Sequence, residues 1–341
     1  MLSAVIVTYN SSAHISRCLG SLQERVGEIV VVDNASSDGT ADLVRKRHPS
    51  VKLVASESNL GFAAAANLGA RQSNGTTLLF LNPDTVCLDP LEPLEAALDG
   101  NGNIAAAAAR LVNPDGRTQI GFTVRRLPTA ASLLFEILLL NRLFPRNPVN
   151  RRSRCLDLDL ERPQEVEQPA GACLAVRRDR FEACGGFDEA FFPLWFEDVD
   201  LCKRLRDQGG AILFLPQVRV EHRGGHSLDS ITFCEKQIYW YRNLLYYVRK
   251  HLRWRTGLAI RGALLLGMGL RMVAETVGLS SFPRTPAAPL RERLRAYWKA
   301  ARLSFGVDRG VDCGVDRGAA GKGVIPPRLP ESTEGGWLGQ K

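Results

Sequence analysis

The segment from Gly185 to Gly209 joins aromatic rings to a cluster of carboxylates. Five aromatic side chains precede the acids Glu197, Asp198 and Asp200. Aromatic rings pack against the apolar faces of sugars, and a carboxylate held beside them can act as a general base. The same acids would also suit the positive end of a helix dipole, so helix capping is an equally good interpretation of this segment alone.

Two other carboxylates follow apolar runs. Asp33 ends EIVVVD and begins DNASSDGT, while Asp84 ends the turn Asn82-Pro83-Asp84 after TLLFL. A carboxylate placed like Asp33 can accept a hydrogen bond from the N3–H of a pyrimidine base, and a turn or helix cap is the alternative. A bound Mg²⁺ or Mn²⁺ needs few protein carboxylates when diphosphate oxygens supply the other ligands. Metal ligation is therefore the better interpretation of Asp84.

His222 has more context than the other histidines. It ends the run VRVEH and begins HRGGHS, where a glycine pair lets the backbone approach a phosphate closely. His226 and Ser227 are candidates for contacts with the same phosphates. An imidazole ligand at His222 would favour Mn²⁺ over Mg²⁺.

The elements that would position these residues alternate along the first half of the chain. Continuous apolar runs separated by helices of about ten residues predict an α/β fold, with a mostly parallel sheet covered on both faces. Ligands of such sheets bind beyond the carboxyl ends of the strands, where the candidate residues fall. The predicted strands are Ser3–Thr8, Glu28–Asp33, Val51–Ala55, Thr77–Leu81 and Ile104–Arg110, with helices over 13–23, 39–47 and 62–72.

The middle of the chain adds less regular elements. The turn sequence NPDG predicts a hairpin over residues 111–126, and an apolar run predicts a helix over 129–144. A strand over 171–177 leads to the aromatic and acidic segment. Two short strands, over 211–215 and 218–222, complete the predicted domain.

Length and composition narrow the class of protein. A chain of 341 residues can bury a full core and carry an appendage. The first residues lack the basic region of a secretory signal, so no such signal is expected. The sequence contains no run of about 18 or more uncharged apolar residues, so no spanning helix is expected. The eight cysteines form no CxxC pair, which argues against a zinc cluster and for reduced thiols in a cytoplasmic protein.

The net charge of +8 is concentrated near the carboxyl end. Residues 231–305 hold fourteen Lys and Arg against three Glu, a net charge of +11. Basic amphipathic helices suit an anionic membrane surface, and packing on the enzyme core is the alternative. Nucleic acid is not an expected partner, because no nucleic-acid module is recognisable. We expect a catalytic domain over 1–230, this basic helical region over 231–305, and a disordered tail over 306–341.

The order of motifs resembles that of family 2 glycosyltransferases with the GT-A fold. The motifs are VIVTYN, VVDNASSDGT, ESNLGFAAAANLG, FLNPD, GGFDEAFFPLWFEDVDLCKRLRDQG and VEHRGGHS, which span roughly residues 3–227. Within the family the chain is most similar to the rhamnosyltransferase-like branch of bacterial cell-wall and surface-polysaccharide enzymes. The first acid of the family's DxD-type motif is Asn82 here, so the ligand set for a metal is thin.

The resemblance implies roles for individual residues. Asp198 would be the general base, with Glu197 as its supporting acid, and Trp195 would stack on the acceptor. Asp84 and His222 would bind the metal. The nucleotide sugar would contact the residues of the strand ends and of the ESNLG segment, namely Thr8, Tyr9, Asn10, Asp33, Glu57, Asn59, Gly61, Asn67 and Asn82.

The implied reaction is an inverting transfer of a sugar from a nucleoside diphosphate, with dTDP-rhamnose or a UDP-sugar as donor. The acceptor would be a saccharide or a lipid-linked saccharide, which places a cytoplasmic enzyme at the inner face of the plasma membrane. A nucleotidyltransferase is the nearest alternative, but it would need a glycine-rich basic loop after the first strand, and TYNSSAHISR has none. A non-catalytic, membrane-associated scaffold is disfavoured by the presence of Asp33, Asp84, Asp198 and His222.

Overall fold

The computed structural model describes residues 1–100, 102–224, 231–278 and 288–306. His226 and Ser227, the candidate phosphate contacts, lie outside the described residues. The same holds for residues 307–341 of the predicted tail.

The described strands form one large sheet and one small one. In chain order they are β1 (Leu2–Thr8), β2 (Glu28–Asp33), β3 (Lys52–Ala55), β4 (Thr77–Leu81), β5 (Thr85–Cys87), β6 (Ile104–Val112), β7 (Val124–Arg125), β8 (Gln164–Glu165), β9 (Gln168–Pro169), β10 (Cys173–Arg177) and β11 (Ala211–His222). The large sheet has the order β3-β2-β1-β4-β10-β6-β11-β5, and β8 pairs with β11 outside this path. β7 and β9 pair with each other.

The first half of the sheet is parallel, as predicted. β1 pairs with β2 and β4, and β2 pairs with β3. Every residue of β1 and β4 is buried, as expected for apolar runs that are covered on both faces. Thr8 and Asp33 are partners in the register of β1 and β2, so these strand ends meet at one edge. The predicted α/β fold with a largely parallel central sheet is confirmed.

The second half of the sheet departs from parallel pairing. β10 is antiparallel to β4 and β6, and β5 is antiparallel to β11. An apolar run indicates burial but not direction, so the sequence does not distinguish these pairings. The two strands predicted over 211–215 and 218–222 are one strand. Its register against β6 shifts between Leu215 and Arg219, which accommodates Pro216, a residue without a backbone N–H.

The predicted hairpin and apolar helix are partly wrong. Val112 bridges Thr118 across the NPDG turn, but β7 then pairs with β9 instead of returning along β6. The predicted helix over 129–144 is divided at Leu139, whose φ of 60° lies in the left-handed region. Leu139 lies within the apolar run ILLL, which gives no signal for this break.

The described helices cover the sheet and extend beyond it. In chain order they are α1 (Ile15–Leu22), α2 (Thr40–Arg47), α3 (Phe62–Arg71), α4 (Glu92–Gly100), α5 (Ala130–Ile137), α6 (Leu140–Leu143), α7 (Pro148–Ser153), α8 (Arg178–Ala183), α9 (Glu197–Asp207), α10 (Phe233–His251), α11 (Trp254–Thr276) and α12 (Leu290–Arg302). A 3₁₀ turn over Leu303–Phe305 follows α12. α3 lies close to β1, because a Cβ at Gly69 would come within 2.4 Å of Val5 Cγ1.

The C-terminal helices pack on α5 and on the aromatic segment that precedes Glu197. One cluster of buried hydrophobic side chains joins α10, α11 and α12 to α5 and to Phe191 and Phe196 of the aromatic segment. α10 begins with a capping box between Thr232 and Glu235. The buried faces of these helices therefore pack on the rest of the protein, which is the alternative to membrane binding given above.

One described helix, α11, could cross a membrane by its length and composition alone. No spanning helix was expected from the sequence. Ile260, Leu264 and Met268 on the inner face of α11 are buried against the other helices.

Candidate active site

The carboxylate of Asp33 is held where β1 and β2 end. Thr8 Oγ1 donates a hydrogen bond to Asp33 Oδ1 at 2.9 Å, and the Ser36 backbone N donates to Oδ2 at 3.0 Å. Asp33 is 3% exposed and Thr8 is fully buried. Each carboxylate oxygen retains a further lone pair, so the group can still accept a hydrogen bond from a base.

Asn34 joins this strand end to the ESNLG segment. Its Nδ2 donates to Asn59 Oδ1 at 2.9 Å, and its Oδ1 accepts from the Leu60 backbone N at 2.7 Å. Gly61 has a φ of 79°, and a Cβ there would come within 2.7 Å of the Phe192 ring. Only glycine at position 61 allows the ESNLG segment to lie against the aromatic segment. Asn34 was not singled out in the sequence, although an Asn directly after a strand-end Asp is a signal for turn structure.

The other candidate donor contacts near the strand ends differ in surroundings. The Asn10 backbone N donates to Ser36 Oγ at 2.9 Å, and Asn10 Oδ1 accepts from the Ser37 backbone N at 2.8 Å. Tyr9 is half-buried and Glu57 is exposed. The side chains of Tyr9 and Glu57 make no hydrogen bond with the described part of the chain. Asn10 is therefore fixed by Ser36 and Ser37, whereas Tyr9 and Glu57 are open to a ligand.

Asp84 and His222 meet where β5 and β11 adjoin. Thr85, next to Asp84, is the register partner of His222. Asp84 Oδ1 lies 3.7 Å from His222 Nε2, and the two side chains are 9% and 6% exposed. Within the described ranges, no group donates a hydrogen bond to the Asp84 carboxylate.

Gln119 determines which nitrogen of His222 carries the proton. Gln119 Nε2 donates to the backbone oxygen of His222 at 2.7 Å and to Asn113 Oδ1 at 2.9 Å. This orientation of the amide leaves Gln119 Oε1 as an acceptor, 3.0 Å from His222 Nδ1. Nδ1 therefore carries the hydrogen, and Nε2 turns a lone pair towards Asp84. The ring of Phe122 stacks on the imidazole with centroids 5.3 Å apart.

A lone pair that faces a carboxylate is unfavourable unless a cation lies between them. Burial lowers the pKa of His222, so the ring is neutral at pH 7 and does not supply that charge. Asp84 and His222 therefore fit a divalent cation that takes its other ligands from a diphosphate. No group of three or more His, Cys, Asp or Glu suited to a metal occurs in the described part of the chain, so the protein's ligand set is as thin as the sequence implies.

The carboxylate of Asp198 lies beside the end of β4. The Gly171 backbone N donates to Asp198 Oδ2 at 3.0 Å, and a Cβ on Gly171 would come within 3.2 Å of that oxygen. The next residue, Ala172, accepts a backbone hydrogen bond from Asn82 at 3.0 Å. Asp198 and the Asn82 turn therefore flank the same short stretch of backbone.

Asp198 and Glu197 are neighbours, but their surroundings affect the pKa of each carboxyl group differently. Burial raises the pKa of Asp198, and hydrogen bonds from the backbone N–H groups of Gly171 and Val199 offset part of this effect. Burial first, and the charge of Asp198 second, raise the pKa of Glu197 well above 4.5. Glu197 Oε2 is buried without a hydrogen-bond partner in the described residues. Asp198 is therefore the acid that ionises first, which suits a general base with a neutral neighbour.

The loop before these acids is strained and is held by α10. Trp195 and Phe196 both have left-handed φ angles, of 77° and 74°. Each such bulky residue costs about 1–3 kcal/mol and persists only where its surroundings hold it. Asn243 Nδ2 donates to the backbone oxygens of Leu194 at 2.8 Å and Trp195 at 3.2 Å. Trp240 meets the half-buried Trp195 edge-on, at 5.7 Å between centroids.

Asn67 is placed differently from the strand-end residues. Its Nδ2 donates to the Phe187 backbone oxygen and to Glu189 Oε1, both at 2.9 Å, and its Oδ1 accepts from the Phe187 backbone N at 2.9 Å. The amide thus holds the start of the aromatic segment. A pocket of about 570 Å³ lies on this side and is lined by Asn67 but by none of Asp84, Asp198 and His222.

Asp200 ties α9 to the end of α10. This fully buried carboxylate accepts from Arg204 Nε at 2.7 Å, contacts His251 Nε2 at 2.7 Å and lies 2.8 Å from Lys250 Nζ. Burial alone would raise the pKa of Asp200, but the hydrogen bond from His251 and the charges of Arg204 and Lys250 outweigh it and lower the pKa. These contacts give Asp200 a structural role.

Asp200→Asn is expected to destabilise the fold by about 3–5 kcal/mol, because it removes the buried charge that Arg204, Lys250 and His251 share. Urea unfolding would measure the change. Asp207→Asn is a matched control, since Asp207 pairs with Lys203 at the surface of the same helix and an exposed pair of this kind contributes about 0.3–0.5 kcal/mol. Because the pKa of Asp200 is lowered by folding, its contribution is present above the unfolded-state pKa of about 3.9 and is lost as the pH falls. Equal effects of the two substitutions would contradict the assignment.

Comparison with known proteins decides the family. The sequence model described as glycosyl transferase family 2 matches residues 3–182. The chain belongs to this family. The N-acetylglucosaminyl-diphospho-decaprenol L-rhamnosyltransferase of Mycobacterium tuberculosis is 30% identical over 301 residues, which cover 80% of this chain and 94% of that protein. The resemblance to rhamnosyltransferase-like members of the family is thereby confirmed.

Two further relatives extend the comparison. The O-antigen biosynthesis protein RfbC of Myxococcus xanthus is 28% identical over 217 residues, which cover 62% of this chain and 16% of that protein. The mannosyltransferase PcManGT from Pyrobaculum calidifontis, solved with GDP-Man and Mn²⁺, aligns with a TM-score of 0.50 at 17% identity and covers 90% of this chain and 87% of its own. This structural likeness supports the GT-A fold.

Proposed function

We propose that this glycosyltransferase moves a sugar, with rhamnose favoured, from a nucleoside diphosphate to a saccharide carried on a lipid diphosphate. The observation that carries the proposal is the position of Asp198, a carboxylate of raised pKa beside the strand-end turn that contains Asn82 and Asp84. A base and a phosphate site that flank one stretch of backbone suit transfer between two bound substrates. The name of the Mycobacterium tuberculosis relative supports rhamnose and the lipid-linked acceptor.

The proposed chemistry is a single displacement. Asp198 takes the proton of the acceptor hydroxyl while that oxygen attacks the anomeric carbon. The bond between this carbon and the diphosphate oxygen breaks, and the nucleoside diphosphate leaves with the electron pair. Glu197 supports the reaction as a neutral neighbour, because a second negative charge would compete for the proton. Trp195 packs against the acceptor sugar.

The donor lies along the strand ends in this proposal. Asp33 and Thr8 bind the base, together with Tyr9 and Asn10. The sugar and diphosphate meet Asn82 and the ESNLG segment, where Glu57, Asn59 and Gly61 lie. Asn67 acts by holding the aromatic segment that closes this site.

Asp84 and His222 would hold Mg²⁺ or Mn²⁺, and the imidazole favours Mn²⁺. When bound, the ion supplies Lewis-acid stabilisation of the leaving diphosphate. Gln119 keeps His222 in the tautomer that offers Nε2 to a metal.

The proposed domain organisation follows the sequence: a catalytic domain over 1–230, a basic helical region over 231–305 and a tail over 306–341. The enzyme would work in the cytoplasm at the inner face of the plasma membrane. We expect the purified protein to sediment with anionic liposomes at low salt and to be released as salt rises, because Lys and Arg near a surface contribute about 1 kcal/mol each. Absence of binding at low salt would contradict membrane association.

A donor and acceptor screen tests the proposed function. The purified enzyme would be incubated with dTDP-rhamnose, UDP-sugars or GDP-sugars and a short-chain polyprenyl diphosphate that carries N-acetylglucosamine. Mass spectrometry is expected to show addition of one deoxyhexose from dTDP-rhamnose. Transfer from a different donor would refute rhamnose, and no transfer from any donor would refute the proposed function.

A further inference from the structure

Arg125 lies on the same face as the candidate base. In the small sheet, Arg125 of β7 is the register partner of Gln168 of β9. Residues directly opposite each other in an antiparallel pair project their side chains to the same face. Gln168 Nε2 reaches Asp198 Oδ2 at 3.5 Å. The guanidinium of Arg125 is therefore beside the edge of the proposed acceptor site.

A second arginine meets Arg125 at Gly121. Arg125 Nε donates to the Gly121 backbone oxygen at 2.8 Å. A Cβ on Gly121 would come within 3.2 Å of both Cβ and Cδ of Arg154, so the stem of Arg154 packs on this glycine. Gly121 has a φ of 74°, which also favours glycine. The loop thus places Arg125 and Arg154 against the same glycine.

This pair differs from the neighbouring arginine in its partners. Arg126 forms ion pairs with Asp157 and Glu167, both at 3.2 Å. Neither Arg125 nor Arg154 forms an ion pair with a carboxylate of the described residues. Burial lowers the pKa of Arg125 and the charge of Arg154 lowers it further, while the charges of Glu136 and Asp198 offset part of this effect. Two neighbouring arginines without a carboxylate partner are stabilised by a bound anion.

The helices that follow Arg154 in space lead to exposed apolar surface. Arg154 directly follows α7, α7 packs on α5, and α5 packs on α11, where Arg271 Nη1 donates to the Ile137 backbone oxygen at 2.7 Å. Residues 130–154 contain five arginines against one acid, Glu136. Exposed apolar side chains lie at the end of α6 and on the outer face of α11, among them Leu143, Phe144, Leu258, Leu266, Leu270 and Val273. A cationic pair on the same group of helices suits a ligand with an anionic head and a lipid tail.

We propose that Arg125 and Arg154 bind the diphosphate of the lipid-linked acceptor, with the lipid leading away over α6 and α11. This inference rests on the proposed function, because it takes its acceptor class from there. Two guanidinium groups offer parallel N–H donors that match phosphate oxygens. With the diphosphate held there, the sugar attached to it would project towards Asp198.

The alternative anion is the diphosphate of the donor. Gln119 and Phe122, of the same loop as Gly121, contact His222. The donor diphosphate is assigned to Asp84 and His222, where a divalent cation is required. The two assignments therefore differ in their dependence on metal.

Binding of farnesyl diphosphate, measured by calorimetry in EDTA and without a donor, tests the inference. The wild-type protein is expected to bind it and to bind farnesol at least about 10-fold more weakly, because the charge-assisted hydrogen bonds are lost. Arg125→Gln and Arg154→Gln are each expected to weaken farnesyl diphosphate binding by about 10-fold or more. Arg154 is exposed, so its substitution leaves the fold intact.

Arg47→Gln is the matched control, since Arg47 is an exposed arginine of α2 beside the edge strand β3. It should leave farnesyl diphosphate binding unchanged. Wild-type protein that does not bind, or arginine variants that bind as well as the control, would overturn the inference. So would variants that instead lose donor nucleotide binding in Mn²⁺. Because binding needs no transfer, protein that binds as expected but transfers no sugar would refute the proposed function, and the lipid diphosphate site alone would stand.

Discussion

Asp198→Asn is expected to lower kcat by about 10²–10⁴-fold, the usual contribution of a general base. The amide keeps the size of the side chain but cannot take the proton of the acceptor hydroxyl. Donor binding should remain close to that of the wild type, because Asp198 contacts Gly171 and Val199 and none of the strand-end residues of the donor site. Initial rates at saturating acceptor, with donor affinity measured separately by calorimetry, separate the two effects.

The pH dependence gives a second test of the same residue. Burial raises the pKa of Asp198, so the base loses its proton at a higher pH than an exposed Asp. The rate of the wild type should therefore rise with pH through this raised pKa, and the residual rate of Asp198→Asn should lack that limb. Asp207→Asn, on the same helix, should keep both the rate and the profile. Wild-type turnover in Asp198→Asn would contradict the assignment.

Asp84→Asn is expected to lower kcat/KM by about 10²–10³-fold, comparable to the loss of one group that stabilises charge in a transition state. Asn preserves the shape of the side chain but removes the negative charge that faces His222 Nε2. Mn²⁺ binding in the presence of the nucleoside diphosphate should weaken at least about 10-fold, which electron paramagnetic resonance measures without any turnover.

Asp89→Asn is the matched control for Asp84. Asp89 follows the same strand, β5, but its carboxylate pairs with Arg219 at the surface. This variant should bind Mn²⁺ like the wild type. Activity that survives complete removal of divalent cations would refute the metal, and equal Mn²⁺ affinity in the Asp84 and Asp89 variants would refute this ligand.

The residues at the carboxyl edge of the sheet are predictable from the sequence. Apolar strands are recognisable, and the polar residue that ends each parallel strand must then lie at this edge. Thr8 and Asp33 are brought together at this edge as expected. The antiparallel direction of β10 is not predictable in the same way, since CLAVR is buried in either direction. The break at Leu139 lies in an unbroken apolar run and has no local signal.

Contacts between distant segments account for the other residues that sequence analysis missed. Gln119 and His222 are 103 residues apart, and their contact depends on the path of the loop after β6. Arg125 reaches the face of Asp198 only through the pairing of β7 with β9. Neither loop contains a motif that points to its partner. The packing of α10 on Trp195 likewise depends on tertiary structure.

The configuration of the product tests the central claim most directly, that one displacement assisted by Asp198 transfers the sugar. A single displacement at the anomeric carbon inverts its configuration, whereas retention requires a second nucleophile or an intermediate. NMR of the product formed from the accepted donor should show the anomeric configuration opposite to that of the donor. A product that retains the donor's configuration would contradict the mechanism.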